Sequence, residues 1–131
     1  MDRTTLVGID IDGGRRLLEA LDKAEFDIHA ALWLYMPEPD EWRLMLAFPL
    51  VDREGPKKAY SLVRLELEKF DPPLELSLMN ISVVGLENHI IKALLTADYS
   101  HLISKDKWLN RGPINGVYIE GAYIYRLKVT E

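Results

Sequence analysis

Residues 27–50 constrain this chain more than any other stretch. Two runs rich in strand formers, Asp27 to Met36 and Trp42 to Leu50, flank Pro37-Glu38-Pro39-Asp40-Glu41. Proline and acidic residues between two such runs specify a β-hairpin. Ile28, Leu32, Leu34 and Met36 share one face of the first run, and Trp42, Leu44, Leu46, Phe48 and Leu50 share one face of the second. Side chains alternate along a strand, so a register change of one residue moves a whole set to the other face. A five-residue loop sets Met36 opposite Trp42, Leu34 opposite Leu44 and Leu32 opposite Leu46. That register makes the two apolar faces coincide, and it is the one predicted. The other face then carries His29, Ala31, Trp33, Tyr35, Arg43, Met45 and Ala47. It is too aromatic for a plain solvated surface and too polar for a second core.

The remaining elements follow from hydrophobic period and punctuation. Residues 13–25 read as an amphipathic helix, with Leu17, Leu18, Leu21 and Ala24 on one side. Asp12 is placed as its N-cap, with Gly13 and Gly14 letting the helix start close to a neighbour. Gly55-Pro56 opens a second helix, with Pro at the first position. Ala59, Leu62, Val63 and Phe70 lie on one side of it, and it ends before Asp71-Pro72-Pro73. Residues 75–84 read as a buried strand and 87–97 as a third helix. Residues 98–112 give no clear pattern. Ile114 to Ile119 and Ala122 to Val129 are predicted to form a hairpin over Glu120-Gly121. The order is α-β-β-α-β-α-β-β. It lacks regular βαβ alternation, so the expected class is α+β, with a mostly antiparallel sheet and helices on one face. With 131 residues and no linker or repeat, one domain spanning 1–131 is expected.

Composition excludes several functions. There is no cysteine. That removes disulfides, thiolate metal sites and a cysteine nucleophile, and it fits a reducing cytoplasm. The formal net charge is -5 and the basic residues do not gather, which disfavours nucleic acid as a partner. The first residues, Met1 to Thr5, carry no apolar signal core. No apolar run approaches the roughly 20 residues that span a bilayer.

Three short motifs invite chemical readings. Asp10-Ile11-Asp12-Gly13 resembles the start of haloacid dehalogenase-type phosphatases, in which one Asp is the nucleophile and the next a general acid. Gly8 to Gly14 also resembles the first phosphate loop of actin-like sugar kinases. Neither resemblance finds its second motif. Ile81-Ser82-Val83-Val84 ends without a hydroxyl, no acidic pair closes a later strand, and a sugar kinase needs a far longer chain. Pro39-Asp40-Glu41-Trp42-Arg43 resembles the restriction-type nuclease signature, but with its two halves fused in one loop. His29, His89 and His101 are not at ligand spacing, so no metal or cofactor is expected.

Three functional expectations result. The first is a non-enzymatic interaction module, a homodimer or a small subunit of a larger assembly, with Trp33, Tyr35, Arg43 and Met45 at the interface. Self-complementary pairing would cover the second hairpin face. The second is a metal-dependent hydrolase or nuclease built on Asp10, Asp12, Asp40 and Glu41. The third is a sensor of a small anion or nucleotide at the Val84-Gly85-Leu86-Glu87-Asn88-His89 turn, with Asn88 and His89 as ligands.

Overall fold

A computed structural model describes residues 6, 8–38, 40–96 and 106–128. The expectations for residues 1–5, Pro39, His101 and Val129 lie outside the described residues. Helix α1 spans Gly8–Lys23 and leads into strands β1 (Ala30–Met36) and β2 (Glu41–Ala47). Helices α2 (Pro49–Glu54) and α3 (Pro56–Glu68) follow, then a short 3₁₀ turn and strand β3 (Ile81–Val84). Helix α4 (His89–Leu95) precedes four strands: β4 (Lys107–Leu109), β5 (Gly112–Ile114), β6 (Val117–Ile119) and β7 (Ala122–Leu127). The main sheet has the order β3-β2-β1-β7-β4, and β5-β6 form a separate hairpin. Among the described residues only the β2–β3 pair is parallel. The α+β class, the element order and the mostly antiparallel sheet are those expected from the sequence.

The hairpin register differs from the expected one. Tyr35 pairs with Trp42, Leu34 with Arg43, Trp33 with Leu44 and Leu32 with Met45. The loop therefore holds four residues, 37–40, with Asp40 at φ 69. The expected register follows only if a single hairpin face lies against the core. Instead both faces are buried, so neither set of side chains needs to avoid the other. On one face Ala31, Trp33, Leu44 and Leu46 pack with Leu17, Leu18 and Leu21 of α1, with Ala59 and Val63 of α3, and with Tyr123 and Tyr125. Leu50 and Val51 of α2 pack against the same core. On the other face Ala30, Leu32, Leu34, Met45 and Ala47 pack with Ile91 and Leu94 of α4, and with Ile119, Ala122, Ile124 and Leu127. Strand β1 is thus apolar throughout because it is covered twice, as in sheets with helices on both faces.

Three further boundaries move, each for a local reason. β2 stops at Ala47, because Pro49 occupies the first turn of α2, where its missing N–H leaves nothing unpaired. β3 is four residues long and lies at a sheet edge. Its backbone is sealed by Tyr60, whose hydroxyl accepts from Val83 N at 3.0 Å and donates to Ile81 O at 3.3 Å. The last hairpin folds over Asn115-Gly116, not Glu120-Gly121. Both residues have positive φ, 47 and 82, as the two-residue hairpin turn with left-handed residues requires. β6 consequently pairs with β5, and Glu120-Gly121 carries the chain into the main sheet.

Asp12 is not a cap. α1 begins at Gly8, so Asp12 lies inside the helix and is exposed. Of the two glycines expected at the helix start, Gly14 alone makes a close approach, and it does so inside the helix. A Cβ there would stand 3.0 Å from Tyr125 Cζ and 3.1 Å from Trp33 Nε1. Trp33 Nε1 donates to the Tyr125 hydroxyl at 2.8 Å, and that hydroxyl donates to Ile11 O at 2.6 Å. The helix is pressed against this hydrogen-bonded pair through a residue with no side chain. Burial raises the Tyr125 phenol far above its ordinary range.

Candidate functional site

The four residues expected at an interface do not form one surface. Trp33 and Met45 are buried on opposite faces of the sheet, Trp33 under α1 and Met45 under α4. The one-residue register difference separates them, since it sends odd positions of β1 and even positions of β2 to the same side. Tyr35 and Arg43 are half-buried. Arg43 is engaged within the fold: its guanidinium donates to Glu41 Oε2 at 2.8 Å, to Ser82 Oγ at 2.8 Å and to Ile81 O at 3.2 Å.

The turn before α4 is equally occupied. Asn88 is the N-cap of α4, and its Oδ1 accepts from Ile90 N at 2.9 Å and Ile91 N at 3.2 Å. Leu86 N donates to Asp52 Oδ2 at 2.9 Å. The Leu86, Ile90 and Ile91 N–H groups, which an anion there would use, are therefore met by protein oxygens. His89 is exposed beside a shallow groove of about 410 Å³ shared with Glu87, Lys92 and Asn115. Glu87 and Lys92 pair across that groove at 3.2 Å.

The acidic residues do not converge. Asp40 accepts from the Tyr35 hydroxyl, Glu41 is held by Arg43, and Asp12 points outward from α1. Among the described residues no three His, Asp or Glu side chains gather as a metal site would require. The residues expected to carry hydrolysis are thus spread over a helix and a hairpin.

What the fold does assemble is an aromatic strip along the open end of the α1 face. Trp33, Tyr123 and Trp108 occupy one row across β1, β7 and β4. Tyr35 and Trp42 occupy the next row. Ring centroids are 5.5 Å apart for Tyr35–Trp42, 6.1 Å for Trp42–Trp108, 4.8 Å for Trp108–Tyr123 and 5.5 Å for Tyr123–Tyr125. Trp42 reaches toward Trp108 over Gly121, where a Cβ would come within 3.9 Å of the indole ring. A bulge in β7 helps to build the strip. Ala31 faces Arg126 while Leu32 faces Ile124, so Tyr125 is the extra residue. Tyr123, Tyr125 and Arg126 can then all serve the α1 side, and Arg126 donates to both carboxylate oxygens of Asp22 at 2.8 Å.

One charged pair anchors the strip to the helix. Arg15 of α1 pairs with Asp106, just before β4, and its guanidinium lies 5.4 Å from the Tyr125 ring centroid. The Tyr123 hydroxyl donates to the same Asp106 carboxylate at 2.6 Å. The strip is therefore rigid at its inner end. At its outer end Trp108 is 53% exposed and Trp42 is half-buried. The Trp42–Trp108, Trp108–Tyr123 and Tyr123–Tyr125 pairs meet nearly edge to face, at 76–82° between planes. They leave the Trp108 indole about half-exposed, which gives contact area with a polar N–H tip.

No protein-family model matches the chain, and no curated protein or solved structure matches it.

Sequence reasoning missed Trp42, Trp108, Arg15 and Asp106 as members of one site. Trp108 and Asp106 lie in the part of the chain that gave no periodic signal. The available clue was a lone tryptophan among charged residues, Lys105-Asp106-Lys107-Trp108. Large aromatics in such settings are enriched at interfaces.

Proposed function

We propose that this protein is a non-enzymatic interaction module of the reducing cytoplasm, which docks a protein surface through its aromatic strip. A second copy of the chain is the first partner to test, since most soluble oligomers are self-complementary dimers. The observation that carries the reading is Trp108, a largely exposed indole held in place by Trp42 and Tyr123. A rigid aromatic anchor costs little ordering entropy on binding, and tryptophan is prominent among binding hot spots. A net charge of -5 favours protein over nucleic acid. The absence of cysteine supports a reducing compartment. Among the described residues no helix is long and apolar enough to cross a membrane.

Light scattering after size exclusion tests the reading on the wild type and on Trp108→Glu. The expected result is a wild-type dimer that becomes a folded monomer in the variant. If the wild type is monomeric at high concentration, affinity capture from the source cells decides between a different partner and none. A partner lost with Trp108→Glu supports the module. Capture that is unchanged in the variant, or no capture at all, refutes it.

A further inference from the structure

We infer that the outer edge of β4 pairs with the same edge of a second copy, joining two five-stranded sheets across a two-fold axis at Trp108. The inference rests on the reading of the aromatic strip as a self-complementary interface, and it adds the main-chain contact that holds that interface in register. The main sheet ends in β3 on one side and in β4 on the other. Proteins commonly block such edges, because unpaired N–H and C=O groups are a template for another strand. At β3 the block is complete for the groups that point outward. Val83 N–H donates to the Tyr60 hydroxyl, and Ile81 C=O accepts from Tyr60 and Arg43. At β4 no equivalent cap is present among the described residues.

Strand parity identifies the groups that β4 leaves free. Tyr35 N donates to Gly121 O at 3.0 Å. The N–H and C=O of one residue point to the same side of a strand, and that side alternates along it. Tyr123 therefore faces β1, whereas Ala122 and Ile124 face β4. Their partners in β4 are Leu109 and Lys107. Trp108, between these two, turns both its N–H and its C=O outward. A donor and an acceptor on one residue are satisfied together by a copy of that residue. With the axis perpendicular to the sheet at Trp108, each chain's N–H meets the other's C=O. The resulting antiparallel register sets Trp108 opposite Trp108, Lys107 opposite Leu109 and Asp106 opposite Asn110. No like charges meet in it, and Asp106 is already paired with Arg15. Lys107 can lay its alkyl stem along Leu109 of the second copy. Such an axis keeps the two α1 faces on one side. The indole of the second copy then covers the exposed half of Trp108, and the row of rings from Trp42 through Trp108 continues into the other chain.

Two variants separate main-chain pairing from contact through the indole alone. Trp108→Ala removes the ring and keeps the N–H; Trp108→Pro removes both. Proline is tolerated at an edge where its missing N–H faces away from the sheet, so both variants should fold, as amide spectra would show. Sedimentation equilibrium then gives the dimer dissociation constants. Trp108→Ala should weaken the dimer by about tenfold or more, and Trp108→Pro by a further factor of about ten. In a dimer mixed from ¹³C-labelled and unlabelled chains, a contact between Lys107 Hα of one copy and Leu109 Hα of the other is expected, since that pair is the closely spaced one. Exchange of the Trp108 amide should slow as the dimer fraction rises. Equal constants for the two variants would overturn the edge pairing. So would a wild-type dimer without the cross-copy contact; if Trp108→Glu still dissociates that dimer, the strip reading stands without the edge. A wild type that stays monomeric at high concentration also overturns the pairing, and the strip reading then rests on capture of a different partner.

Discussion

Gly14→Ala isolates the contact on which the α1 face is built. The added methyl would sit 3.1 Å from Trp33 Nε1 and 3.0 Å from Tyr125 Cζ, with the hydroxyl nearer still. Neither ring can retreat easily. Trp33 is buried at 3% exposure, and Tyr125 is fixed by hydrogen bonds to Trp33 Nε1 and Ile11 O. Relieving such a clash costs about 1–3 kcal/mol. Separating the Trp33–Tyr125–Ile11 chain leaves buried polar atoms unpaired, at about 1–3 kcal/mol. Alanine in place of glycine inside a helix returns about 1 kcal/mol. The expected net loss is about 3 kcal/mol, or roughly 12 °C in Tm at about 4 °C per kcal/mol for a chain of this size. The neighbouring residue supplies the control. A Cβ at Gly13 meets only Leu76 Cβ at 3.9 Å, an ordinary contact. Gly13→Ala should therefore stabilise by about 0.5–1 kcal/mol. Urea denaturation followed by tryptophan fluorescence measures both. If Gly14→Ala is as stable as wild type, or if the two variants move together, the close-approach reasoning is wrong.

Three other outcomes can be checked in the same way. Asp12→Ala should change stability by less than about 0.5 kcal/mol in urea melts, since Asp12 is an exposed helix-interior residue and caps nothing. Tyr60→Phe should cost about 1 kcal/mol and speed hydrogen exchange at the Val83 amide, because the hydroxyl that seals β3 is lost. Asp27 is held below the usual carboxylate range, first by the hydrogen bond from Lys128 Nζ at 2.9 Å and then by His29. A depressed carboxylate stabilises the fold above its unfolded value near 3.8 and loses that contribution as pH falls through its folded value. Asp27→Asn should flatten the stability curve below about pH 4 and leave its shape at pH 7 unchanged, as thermal melts from pH 2 to 7 would show.

Local patterns in the sequence carried the elements; they did not carry the way two cores share one sheet. Leu17, Leu18 and Leu21 mark the buried face of α1, and Pro56 marks the start of α3, because helix period and proline chemistry act within a few residues. The hairpin itself is equally legible. Its register is not, because the choice between a four- and a five-residue loop depends on whether anything covers Leu32, Leu34 and Met45. That cover comes from α4 and β7, some 60 and 90 residues away. The same distance hides the aromatic strip. Trp42 and Trp108 are ordinary residues in their own segments and become neighbours because β4 pairs with β7, which in turn pairs with β1. Asn115-Gly116 was legible as a hairpin turn, and the weaker Glu120-Gly121 signal displaced it.

The position of β7 also dictates when the molecule can fold. This strand supplies Tyr123 and Tyr125 to one core and Ala122, Ile124 and Leu127 to the other, and it is nearly the last described segment of the chain. Until residues 122–127 have left the ribosome, β1 has a bare edge and both of its covered faces are incomplete. A growing chain can hold α1 and the β1–β2 hairpin only as loosely ordered pieces. Closure therefore waits for residues 122–127, without which neither core is complete. Any nascent chain halted before Ala122 presents Leu32, Trp33 and Leu34 as an unsatisfied strand, the kind of segment that chaperones and proteases recognise first.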